Sequence, residues 1–131
     1  MLLYDGTCGF CAASVQFILR HERRHTLRFA ALESEAGRQV RARHPAIDGL
    51  DSMIWVEHPG DIGERVLVRS EAGLRIARYM GGLWRMAALG RLMPRVLRDA
   101  AYDTVARHRH RLVPEPEQCY VPPPDVRRRF I

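Results

Sequence analysis

Two cysteines, in Cys8-Gly9-Phe10-Cys11, stand between a short apolar run, Met1–Tyr4, and an amphipathic run from Cys8 to about Glu22. That placement constrains the fold more than any other feature of the chain. Met1–Tyr4 reads as a brief buried strand, and Asp5-Gly6-Thr7 as the turn that ends it. In the next segment Cys11, Val15 and Ile18 recur at three- and four-residue spacing beside a second set, Phe10, Ala13 and Phe17, which predicts a helix with a wide apolar face. A cysteine at a helix start meets unpaired backbone N–H groups and the positive end of the dipole, and both favour a thiolate. Cysteines three apart on one turn lie roughly 5–6 Å apart at Cα, inside the window of an unstrained disulfide. The pattern therefore predicts an exposed, nucleophilic Cys8 and a Cys11 shielded on the face of Val15 and Ile18.

Further along, Leu27–Leu32 is a second strand candidate and Glu33–His44 a polar helix closed by Pro45. Met53–Val56 and Val66–Val68 read as a hairpin across the turn residues His58-Pro59-Gly60-Asp61. Ser70 is placed to cap a helix carrying Ala72, Ile76, Ala77 and Met80, ended by Gly81-Gly82. Trp84–Met93 continues as a helical segment, Pro94 breaks it, and Arg95–Arg111 is the longest predicted helix. Pro114, Pro116 and Pro122–Pro124 leave the tail without regular structure up to Arg127-Arg128-Arg129. A strand–helix–strand start demands a parallel crossover, whereas the hairpin is antiparallel, so the sheet is mixed. The expectation is an α/β, thioredoxin-like fold: about four strands flanked by helices, with an extra C-terminal helical segment and an extended tail. Residues 1–113 form the domain with its helical extension; 114–131 form a Pro/Arg-rich tail packed on it or trailing from it.

With 131 residues, 47% hydrophobic and 27% charged, the chain has the makings of one globular domain. No apolar stretch reaches the roughly 20 residues of a bilayer span, and no basic-then-apolar leader opens the sequence, so the expected compartment is the cytoplasm. Three cysteines do not make a secreted disulfide framework. In a reducing compartment the C-x-x-C pair is either redox-active or metal-bound. Zinc needs two further ligands, for which Cys119, His108 and His110 are the candidates. The two histidines are two apart on a predicted helix and project to different sides, so no metal site is expected.

All 21 basic residues are arginine, and Arg75–Arg111 holds nine of them against only Asp99 and Asp103. Such a segment attracts nucleic acid, anionic lipid or an acidic protein, or else it is a solvated set of helix faces with pairs such as Asp103–Arg107 and with Val105 and Leu112 turned inward. The solvated face is the expectation, with no specific nucleic-acid binding. Met80, Met86, Met93 and Trp84 either dock a partner or a membrane surface or pack in the core, and core packing is the commoner use.

The stretch Tyr4-Asp5-Gly6-Thr7-Cys8-Gly9-Phe10-Cys11 resembles the D-x-x-C-x-x-C motif of the DCC family of predicted thiol-disulfide oxidoreductases. The likeness extends through Asp51-Ser52-Met53, Ser70–Tyr79, Gly82-Leu83-Trp84, Arg98-Asp99, Tyr102-Asp103 and Ala106-Arg107-x-Arg109-x-Arg111 to Cys119. It implies a thioredoxin-like fold and an active dithiol at Cys8 and Cys11, and little about substrates; the leading reading is thiol-disulfide exchange with a protein or small-molecule thiol or disulfide, without a bound cofactor. Thioredoxins carry a cis-proline facing the dithiol where this chain has Asp51-Ser52-Met53, which makes Ser52 and Met53 candidate accessory residues. Asp5 either takes the Cys11 proton or binds the N–H groups of its own turn. Cys119 is either a third redox thiol or a small buried hydrophobe. The competing reading is a binding module whose basic helices dock an acidic partner, with structural or zinc-bound cysteines.

Overall fold

The computed structural model describes residues 1–50, 52–112 and 121–131. Four strands, β1 (Leu2–Tyr4), β2 (Phe29–Ala31), β3 (Ile54–Glu57) and β4 (Arg65–Leu67), form one sheet in the order β2-β1-β3-β4. β1 and β2 are parallel, and β3 runs antiparallel to both β1 and β4, so the sheet is mixed as the element order requires. Helix α1 (Gly9–His21) makes the crossover between the parallel strands; α2 (Glu35–Arg43), α3 (Arg69–Met80) and α4 (Arg95–Leu112) follow. This is the α/β, thioredoxin-like architecture.

Strand alternation sorts the core into two layers. Leu2, aligned with Phe29 and Trp55, belongs to the cluster that holds Cys8, Cys11, Val15, Ile18, Ile76 and Met80. Leu3, aligned with Ala30 and Ile54, belongs to the opposite cluster with Val40 and Ile47. Helices therefore cover both faces. On the second face α2 lies so close that a Cβ at Gly37 would sit 2.4 Å from the Ala31 carbonyl oxygen, which explains a glycine inside a helix.

The hairpin turn is anchored by Glu64, whose carboxylate accepts both Arg43 guanidinium bonds at 2.9 Å, the Gly60 N–H at 2.6 Å and a His44 Nε2 contact at 2.8 Å. The Arg43 hydrogen bond is the main cause that pulls the Glu64 carboxyl down to about 2 from 4.5. A depressed carboxylate contributes stability that is present above its unfolded value and lost as pH falls through its folded one. The stability difference between wild type and Glu64→Gln, read from urea midpoints, should therefore be largest near neutrality and should shrink between about pH 4.5 and 2. A difference independent of pH would remove this role for the carboxylate.

Local expectations are corrected in four places. Ser70 does not cap α3: the N-cap is Val68, Arg69 takes φ 53°, and the buried Ser70 hydroxyl bonds Asp99 and accepts from Arg98 Nε at 2.9 Å, tying α4 to α3. The segment after Gly81 is a 3-10 helix, Gly82–Leu92, so Met80 packs in the core while Trp84, Met86 and Met93 are exposed. On α4, Val105 is exposed, the Leu112 side chain lies outside the described residues, and the Asp103 carboxylate faces Arg69 at 3.9 Å, while Arg107 Nε donates to the Asp103 carbonyl. The tail is not wholly irregular, since past the last proline Arg127–Arg129 forms a 3-10 turn and Phe130 bridges to Phe29 in parallel sense.

That bridge positions a buried ion pair. Glu22, expected at the polar end of α1, is fully buried and receives both Arg129 guanidinium nitrogens, at 2.5 and 2.8 Å, and the Tyr79 hydroxyl at 2.9 Å. Arg129 Nε also donates to the Leu27 carbonyl at 2.8 Å, and the Ile131 N–H to the Phe29 carbonyl at 2.9 Å. The chain end thus covers the free edge of β2, the position at which a sheet is open to unwanted pairing.

Candidate active site

The turn after β1 is built by Asp5. Its Oδ1 accepts the Thr7 N–H at 2.8 Å and the Thr7 hydroxyl at 2.7 Å, the turn-binding role of the two weighed for it. The turn delivers Cys8 to the N-cap of α1 with extended backbone (φ −88°, ψ 116°), and its carbonyl takes the first helical bond, from Ala12 at 3.0 Å. Cys11 lies one turn into the helix, and both thiols are free.

The expected exposure of Cys8 is corrected. Cys8 is 5% exposed and Cys11 2%, and both belong to the cluster of Leu2, Val15 and Met53 against which Tyr4, Phe10 and Phe130 pack. The C-terminal helical extension contributes cover, because α4 lies against α1. Burial is the largest cause raising the Cys11 thiol far above its ordinary value, followed by the charge of a Cys8 thiolate; a backbone hydrogen bond from Asp5 pulls the other way, and a hydrogen bond with Cys8 raises it again. Cys11 therefore resists ionisation.

Ser52 and Met53, the accessory candidates, are brought beside Cys11. With Phe10, Tyr102 and Val105 they line a cavity of about 50 Å³ on which Cys11 opens. The Ser52 hydroxyl is buried with no hydrogen-bond partner among the described residues. The α4 residues were not expected here, although Tyr102, Val105 and Ala106 stand at the three- and four-residue spacing that marks one helix face. Next to this cavity Phe10, Ala13, Phe17, Met53, Ile76 and Met80 border an apolar groove of about 390 Å³ between α1 and α3. Cys119, Asp51 and the His110 side chain lie outside the described residues.

A dithiol at a helix start, its second sulfur buried behind the first, can exchange with a disulfide. Comparison with known proteins agrees with that chemistry. The family model described as DCC1-like thiol-disulfide oxidoreductase matches residues 2–114. The chain is 29% identical, over its whole length and 93% of the relative's, to the uncharacterized protein YuxK of Bacillus subtilis. It is 32% identical to a chloroplastic DCC family protein of Arabidopsis thaliana over 91% of this chain and 67% of that protein. No solved structure matches it.

Proposed function

Since the chain belongs to the DCC1-like thiol-disulfide oxidoreductase family, we propose that it exchanges thiols and disulfides through Cys8 and Cys11. The observation that carries the reading is the position of Cys8 at the α1 N-cap with Cys11 one turn behind it. The Cys8 thiolate attacks one sulfur of a substrate disulfide, forming a mixed disulfide and releasing the other substrate sulfur as a thiolate. Cys11 then loses its proton and attacks the Cys8 sulfur. This step releases the second substrate thiolate and leaves a Cys8–Cys11 disulfide, so the substrate gains the two electrons that the dithiol gives up. Run backwards, the same steps oxidise a substrate dithiol.

Burial of Cys8 means that the covering side chains move aside when a substrate sulfur approaches in line. Ser52 and Met53 border the resolving sulfur and act on its surroundings; Asp5 holds the turn. We assign the exchange to residues 1–113, with 114–131 as a Pro/Arg-rich tail packed on the domain or trailing from it, and to a cytoplasmic, reducing setting. A structural or zinc-bound dithiol in a docking module is the rival. Thiol titration before and after mild oxidation separates the two: exchange chemistry requires two thiols per chain to disappear while the protein stays monomeric. Two thiols that resist oxidation, or that only a chelator unmasks, would reject it.

A further inference from the structure

The 3-10 helix Gly82–Leu92 is long for its type, since such runs seldom exceed three or four residues. At three residues per turn, side chains at i, i+3, i+6 and i+9 stack in rows along it. Leu83, Met86, Leu89 and Leu92 form one such row, and all four point away from the protein at 61% to 84% exposure. A second row touches the protein at two points: the exposed Trp84 ring meets Phe17 edge-on at 5.1 Å, and Gly90 abuts Leu74 of α3. A third carries Arg85 and Arg91, both exposed. The apolar row runs on into Met93, Val96 and Leu97 at the start of α4, all exposed. A continuous apolar strip of this kind is uncommon on a soluble surface without a purpose.

Its charge setting selects the occupant. From residue 72 to residue 98 the sequence has six arginines and no acidic residue. On one side of the helix Arg23, Arg24, Arg78 and Arg85 surround a cleft of about 410 Å³ with no carboxylate in its lining. None of these four has an ion-pair partner among the described residues. On the other side Arg91 and Arg98 border a second cleft, of about 440 Å³, which Glu57 and Glu71 share. We propose that the 3-10 helix and the start of α4 form a peripheral docking surface for an anionic lipid membrane, the leucine and methionine row entering the interface and the flanking arginines receiving headgroup phosphates. An apolar row edged by arginine is what an interfacial element needs: burial in the acyl boundary on one side, attraction to the anionic leaflet on the other. A two-fold pairing of the chain would set arginine against arginine on the same surface. No helix among the described residues is long and apolar enough to cross a membrane, so the element lies on the bilayer.

The test is co-sedimentation of the full chain with phosphatidylcholine vesicles, with and without phosphatidylglycerol. Binding should require phosphatidylglycerol and weaken with salt. Leu89→Ser with Leu92→Ser should reduce partitioning about tenfold or more, from the apolar area lost. Arg85→Gln and Arg91→Gln should each reduce it about fivefold. All these side chains are exposed, so far-UV circular dichroism of the variants should match wild type, and Cys8→Ser should bind vesicles as wild type does, which separates docking from thiol exchange. No binding to anionic vesicles at low salt would overturn the proposal. So would binding that the leucine variant leaves intact, which marks a polycation adhering by charge alone. Self-association in solution abolished by the leucine variant, without vesicle binding, would assign the strip to a second copy of the chain and likewise overturn it.

Discussion

Cys11→Ser should accumulate mixed disulfides with substrate, whereas Cys8→Ser should trap almost nothing. The asymmetry follows from where the sulfurs sit. Cys8 occupies the N-cap of α1, at the positive end of the helix dipole and ahead of Cys11 in the chain. Cys11 is buried behind it, with its proton held by burial and by the charge of a Cys8 thiolate. Once a mixed disulfide has formed on Cys8, its charge is gone and Cys11 ionises more readily, so resolution comes second for an electrostatic reason. Removing Cys11 keeps the attack and deletes the resolution; removing Cys8 deletes the attack itself. Either variant should abolish turnover of a disulfide substrate, a loss on the order of 100-fold or more for a missing nucleophile. Non-reducing gels after acid quench and alkylation read the trapping. Equal trapping by the two variants would contradict the assigned roles, and loss of turnover in Cys119→Ser would bring the tail cysteine into the site.

The second large effect lies at the other end of α1. Arg129→Ala strips both guanidinium bonds from the buried Glu22 carboxylate and leaves it, among the described residues, the Tyr79 hydroxyl and an outlying His25 nitrogen at 3.5 Å. Breaking one side of a buried ion pair costs about 3–5 kcal/mol, a large share of the ~5–15 kcal/mol that holds a domain folded. The same substitution removes the bond to the Leu27 carbonyl and the guanidinium stacked 5.3 Å over the Phe29 ring. Arg129→Lys should recover only part of the loss, because an ammonium cannot span both carboxylate oxygens and the carbonyl together. Urea unfolding followed by circular dichroism measures both variants. A cost below about 0.5 kcal/mol for Arg129→Ala, the size of an ordinary surface change, would show that the pair does not lock the tail to the sheet.

What the sequence determined by itself was the part governed by short-range pattern. The strand, turn, cysteine pair and helix from residue 1 to 22 are contiguous, so three- and four-residue spacing and turn chemistry sufficed to place Cys8 at the helix start and Cys11 on the face of Val15 and Ile18. Element order likewise gave the mixed sheet, because handedness and strand direction follow from connection length. Tertiary structure decided everything that depends on distant residues meeting. Glu22 and Arg129 are 107 positions apart, and no local rule marks an acid at a helix end as buried until the chain end returns to β2. Cys8 was expected in solvent because its own segment exposes it; the packing of other elements, α4 among them, against α1 made it a core residue. Trp84, Met86 and Met93 are expected in the core, the commoner use of such residues, but the 3-10 segment Gly82–Leu92 and the turn after it leave them exposed. The physical reason is common to all three: burial is a property of what arrives from elsewhere in the fold, whereas helix starts, turns and strand alternation are set by neighbours in the chain.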